Sequence, residues 1–156
     1  MTDLAKLWKL KTEGKIRFFF MWLLLQNRIW TADRLNKRGW PHDDACCLCD
    51  QTMETAFHLT FEFPFAQEVW TEFSAQEPTL LQAAGNARSL MDWWRKIHSR
   101  GGGNDKQVSR SAAAYVLWNI WNERNRRIFQ DKKMSPKEVV AKTREELIQL
   151  KMAGGQ

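Results

Sequence analysis

KQVSRSAAAYVLWNIWNERNRRIF, residues 106–129, carries the clearest periodicity in the chain. Ala114, Leu117, Trp118, Trp121 and Ile128 fall on one stripe, while Asn119, Asn122, Glu123, Arg126 and Arg127 fall mostly elsewhere. Apolar residues recurring at this spacing predict an amphipathic α-helix, and its length makes it the central one. Downstream, Ser135, Pro136 and Glu138 are an N-cap, a first-turn proline and a capping-box acid, and they open a last amphipathic helix running to about Lys151. Upstream lie Gly101, Gly102 and Gly103, read as a loop between helices that both need cover. Before that loop, Ser89 with Asp92 starts a helix through His98 bearing Trp93 and Trp94.

The rest of the chain reads the same way. Residues 15–29, KIRFFFMWLLLQNRI, are apolar nearly all round and free of Gly and Pro, which predicts a buried core helix. Thr31 with Asp33 caps a short helix from Ala32 to Arg38, ended by Gly39 and Pro41. Helical spacing returns from Glu54 to Glu62, and Pro64 sits at the first turn of a helix from Phe65 to Phe73. Residues 74–88 read as loop. No segment sustains two-residue alternation, so the expected fold is all-α: a compact multi-helix bundle with a short Cys-containing, knuckle-like turn.

A chain of 156 residues, 44% hydrophobic, closes one core and is short for two. One domain, 1–156, is expected, with 106–152 as its C-terminal helices. Nine Trp and nine Phe against one Tyr require either a large core or a sticky surface. The formal charge of +6 divides into basic ends and an acidic middle. Such a balance attracts polyanions, although in a folded bundle the two signs also face each other. The longest apolar run, Phe18 to Leu25, falls far short of the roughly 20 residues a membrane-spanning helix needs. No membrane span is expected. Three Cys clustered at 46, 47 and 49 allow no long-range disulfide framework, which points to a reduced compartment, cytoplasmic or nuclear, or to a metal site. A basic, amphipathic N-terminus also fits a mitochondrial address, less well because Asp3 and Glu13 interrupt it.

Cys46 and Cys49 form a C-x-x-C turn, and His58 follows after eight residues. Two thiolates and an imidazole at this spacing can meet around a tetrahedral ion. The stretches FFFMWLLLQNRIWTADRLNKRGW (18–40), CCLC (46–49) and ETAFHLTFEFPFAQEVW (54–70) together resemble the zinc-binding domain at the end of plant LINE-type, non-LTR retrotransposon reverse transcriptases. The segment LWNIWNERNRRIF (117–129) is similar to what commonly follows it. The zinc-binding-domain-like region spans residues 15–73, and the whole resemblance roughly 15–130. It implies a Cys, Cys, His, Cys zinc site in which Cys46, Cys49 and His58 are ligands. Cys47 replaces the usual Pro, and Phe63 stands at the fourth ligand position.

A benzyl group coordinates no zinc, and structural zinc sites are almost always closed by four protein ligands. Cys47, His42, Asp50 or a water could complete the set. Against that stands a degenerate zinc finger, with Phe63 packed in the core and the cysteines as ordinary small thiols. Zn2+ is therefore an open cofactor and no other is expected.

The remaining chemistry-bearing residues are sparse. Asp43 and Asp44 are adjacent, whereas a polymerase palm needs separated carboxylates holding two metal ions, and His98 has no nucleophile at a suggestive spacing. No catalytic residue is assigned and no enzymatic activity is expected. The first functional expectation is a non-enzymatic, retroelement-derived helical module co-opted for protein–protein interaction, as a regulatory or a selfish, toxic factor. The alternative is RNA or DNA binding through the basic N- and C-terminal helices, with Arg124, Arg126 and Arg127 beside Trp118 and Trp121 as a stacking-and-phosphate surface. At helical spacing those tryptophans read first as core. Homo-oligomerisation is a third partner class, since helices rich in large aromatics can extend their cores between subunits.

Overall fold

Alanines at 112–114 and long or aromatic side chains at 115–121 favour a helix that can be packed from several sides. The computed structural model describes residues 20–26, 28–29, 31, 39, 55–62, 64–73, 87–98, 104–130 and 132–153. Its elements, in chain order, are α1 (Trp22–Leu25), a first π-helical turn (His58–Glu62), α2 (Pro64–Phe73), α3 (Leu90–His98), α4 (Asn104–Asn125), a second π-helical turn (Arg126–Gln130) and α5 (Pro136–Ala153). No strand occurs among the described residues, and the all-α expectation holds. The Cys-containing turn and the helix at 32–38 lie outside the described residues, as do 15–19 and 27 of the 15–29 segment; its described part is helical over 20–25, with Phe20, Met21, Leu24, Leu25 and Ile29 buried and Leu23 37% exposed.

The N-terminal signals read from sequence operate as bonds. At α5 the Ser135 N–H donates to Glu138 Oε1 at 3.1 Å and the Glu138 N–H to Ser135 Oγ at 3.2 Å, a reciprocal capping box. At α3 the Asp92 N–H donates to Ser89 Oγ at 3.1 Å. Its carboxylate, one methylene shorter than glutamate, accepts from the Arg88 N–H at 2.8 Å. At the C-terminal end of α3, Arg110 Nε of α4 donates to the Ile97 carbonyl at 3.0 Å, satisfying one of the acceptors a helix end leaves open. Gly39, expected as a helix stop, has φ 74°, the left-handed conformation glycine adopts without steric cost.

α4 is the axis. It packs against α2, α5 and the first π turn, α2 also packs against α5, and α1 packs against α3. Ala113, Ala114, Tyr115, Val116, Leu117 and Ile120 are fully buried, with Trp118 and Trp121 half-buried against Phe20. The burial runs around most of the circumference and also takes in Asn119 and Glu123, which the stripe had placed outside. Ile128, expected on the stripe, is instead 38% exposed, because the helix passes into the wider π turn before reaching it.

A second packing centre joins the first π turn to α2 and α3. Phe61 stacks on Trp70 with centroids 5.4 Å apart and planes 12° off parallel. Trp93 meets both rings, at 5.4 Å and 6.3 Å. Burying a ring of this size removes on the order of 200 Å² from water, an upper bound of about 4–6 kcal/mol before ordering costs. In an α-helix the Thr60 carbonyl would accept from residue 64, but Pro64 has no N–H. Trp70 Nε1 donates to that carbonyl instead, at 2.8 Å.

Candidate functional site

Of the metal candidates, His58 alone lies in a described segment; Cys46, Cys49 and Phe63 lie outside it, as do Cys47, His42 and Asp50. Thr55 precedes the helical segment, accepting the His58 N–H on its hydroxyl at 3.0 Å and the Leu59 N–H on its carbonyl at 3.0 Å. The imidazole is buried, 7% exposed, at the start of the first π turn. Its Nδ1 lies 3.5 Å from Glu62 Oε1, one helical step on and facing solvent. A carboxylate beside the ring is the usual companion of a metal-ligating histidine, so the geometry at His58 suits a ligand. The donor set suits it less. Two cysteines and a histidine make three, and Phe63 adds none, whereas a structural zinc site takes four. Among the described residues no group of three His, Cys, Asp or Glu side chains is close enough to hold an ion.

Of the three candidate arginines, two are brought together around a carboxylate of the protein itself. Glu123 is 1% exposed. Its Oε1 accepts from Arg126 Nε at 2.9 Å, and its Oε2 from Arg127 Nε at 2.7 Å and from the Met134 backbone N–H at 2.9 Å. Arg127 also lies over the Phe65 ring at 4.3 Å and reaches the Met134 carbonyl at 3.4 Å. Arg124, 4% exposed, lies over Trp121 at 4.9 Å and donates to Asn125 Oδ1 at 3.2 Å. A buried carboxylate needs such partners, since an uncompensated charge in the interior is costly. The guanidinium forks thus hold α4 to the start of α5.

Sequence reasoning missed Glu123 as the hub, placing it on the solvated side. The signal was present: arginines at three and four residues beyond a glutamate share its helix face. Asn119 is a second buried polar group. Its Nδ2 donates to the Tyr115 carbonyl at 2.9 Å and to Glu146 Oε1 of α5 at 2.7 Å, and its Oδ1 has no partner among the described residues.

On the outside, several large apolar side chains are left in water. Phe129 is 75% exposed, Met152 76% and Ile148 60%. Ile148 and Met152, four apart on α5, share one face.

The family model described as zinc-binding in reverse transcriptase matches residues 2–70. The match takes in Cys46, Cys49, His58 and Phe63 and stops at the end of the Phe61–Trp70 stack, so α3, α4 and α5 lie beyond it. No curated protein and no solved structure matches the chain. No described helix is long and apolar enough to cross a membrane.

Proposed function

We propose that this chain, with residues 2–70 as a reverse-transcriptase zinc-binding region, is a non-enzymatic helical module that acts by binding a protein partner. The observation that carries the reading is the exposure of Phe129, Ile148 and Met152. Large apolar side chains of this kind, when clustered, are the usual anchors of protein interfaces. A role as a regulatory factor or as a selfish, toxic one is compatible with such a surface.

The nucleic-acid alternative loses its best candidates, because Arg124, Arg126 and Arg127 are engaged within the protein. Affinity capture from host extract with wild-type protein and an Ile148→Glu/Met152→Glu/Phe129→Asp variant tests the reading. A partner retained by the wild type and lost by the variant supports it, and recovery of chaperones alone defeats it. Measured in parallel, tight and salt-sensitive binding of RNA or DNA at physiological ionic strength would favour the alternative. Light scattering at two concentrations tests whether the partner is a second copy.

A further inference from the structure

The second π turn is the apex of a closed loop. At its base, Glu123 accepts from Arg126, Arg127 and the Met134 N–H, and the Lys132 N–H returns to the Arg126 carbonyl at 3.3 Å. These bonds tie residues 132–134 back against 123–127, fixing Lys132 and Lys133 beside the turn. The π geometry breaks the α4 stripe and presents Ile128 and Phe129 to solvent on a held backbone. π turns within helices are often found at functional sites, and here the turn projects an aromatic side chain that an uninterrupted helix would have been free to bury.

The surroundings are cationic. Residues 124–137 contain six Lys or Arg and the single acid Asp131; with Arg126 and Arg127 set against Glu123, four remain. Lys132 and Lys133 are exposed, while Lys137 shares a cleft with Glu68 and Glu72 of α2. An exposed apolar pair with Lys132 and Lys133 held back against the same turn is complementary to an apolar anchor flanked by carboxylates. Base stacking suits it less, because Ile128 offers no planar face and the arginine forks that would grip phosphates bidentately are committed to Glu123.

We propose that the Arg126–Gln130 turn, with Lys132 and Lys133, is a docking surface for an acidic protein segment carrying a large apolar anchor. Ile128 and Phe129 seat the anchor, and the lysines face its Asp and Glu neighbours. The inference rests on the protein-partner reading and names the chemistry of that partner.

A phage-displayed random dodecapeptide library selected on the immobilised full chain tests it, the best peptide then being measured by fluorescence anisotropy. Enriched peptides should combine Asp or Glu with Phe, Trp, Leu or Ile. Their affinity should fall roughly tenfold or more with Phe129→Ala, and should fall with Lys132→Glu/Lys133→Glu and with added salt. Both variants change exposed side chains, and unaltered circular dichroism shows that they fold. Absence of enrichment, enrichment without acidic bias, or affinity indifferent to Phe129→Ala overturns the proposal. So does a fluorescein-labelled oligouridine whose tight binding Phe129→Ala abolishes, which would make the turn a nucleic-acid site. A captured partner that survives Phe129→Ala but is lost with Ile148→Glu/Met152→Glu sinks this surface and leaves the protein-partner reading standing.

Discussion

The π-helical turns at His58–Glu62 and Arg126–Gln130 share a backbone geometry and put it to opposite uses. In the first, His58, Leu59, Thr60 and Phe61 are all buried, and the turn feeds Phe61 into a stack with Trp70. In the second no residue is buried, and Phe129 stands in water. What differs is the neighbour. The first turn meets aromatic rings and surrenders a carbonyl to an indole N–H; the second is closed at its base by a carboxylate that accepts from two arginines. The same local irregularity therefore serves packing where apolar surface is at hand and display where an ionic clamp fixes it.

The sharpest way to break the contrast is Trp70→Ala. It removes the stacked ring and the donor to the Thr60 carbonyl together, and should cost about 3–5 kcal/mol in urea unfolding. An equal loss from Phe129→Ala, which should change stability by less than about 0.5 kcal/mol, would erase the distinction between the turns. Next in size is Glu123→Gln, which leaves Arg126 and Arg127 half-buried beside a neutral amide that cannot answer both. A loss of about 2–4 kcal/mol is expected, with faster tryptic cleavage after Lys132 or Lys133. Unchanged proteolysis would mean that the clamp does not hold the loop. Ser135→Ala removes one half of the α5 capping box and should cost about 1 kcal/mol, read as earlier exchange of the first-turn amides of α5 with those of α3 unaffected.

A smaller effect is expected on acidification. The Arg88 N–H, followed by the Lys96 ammonium, holds the Asp92 carboxyl below its ordinary 3.8. Its contribution is therefore complete above that value and fades as pH falls through the depressed native one. Asp92→Asn should flatten this part of the stability curve, and an unchanged acid limb would count against the hydrogen bonds at α3. The smallest expected effect is that of chelation. With three donors and a phenylalanine in the fourth position, protein purified without chelator should carry substoichiometric zinc by mass spectrometry, and Cys49→Ser should leave its melting temperature nearly unchanged. A stoichiometric ion whose removal melts the protein would reverse that view.

What the sequence made legible was whatever is local. Ser135 and Glu138, Ser89 and Asp92, and Pro64 each act over three or four residues, and each marks a helix start in the structure. The starts of α2, α3 and α5 followed from them, and the all-α class from the absence of two-residue alternation. The burial of Glu123 and Asn119 was not legible, because it depends on Met134 and Glu146, eleven and twenty-seven residues on. Periodicity assigns a polar residue to the outer face by default, and only a partner in another helix reverses the sign. The exposure of Ile128 was hidden for a related reason: a stripe presumes an unbroken 3.6-residue repeat, and the π turn breaks it. For the metal candidates, the spacing singled out His58 as a possible ligand, whereas its burial and the nearby Glu62 carboxylate depend on the fold, and Phe63 drew notice only through a family resemblance.

The amide of Asn119 has one further consequence. Because its nitrogen bridges α4 to Glu146 of α5, displacing either rod by one turn, about 5.4 Å, would leave a buried amide without that acceptor. The two rods thus have one alignment rather than several near-equivalent ones. Any foreign amphipathic segment grafted in place of residues 136–153 would need an acceptor at position 146 before its hydrophobicity mattered.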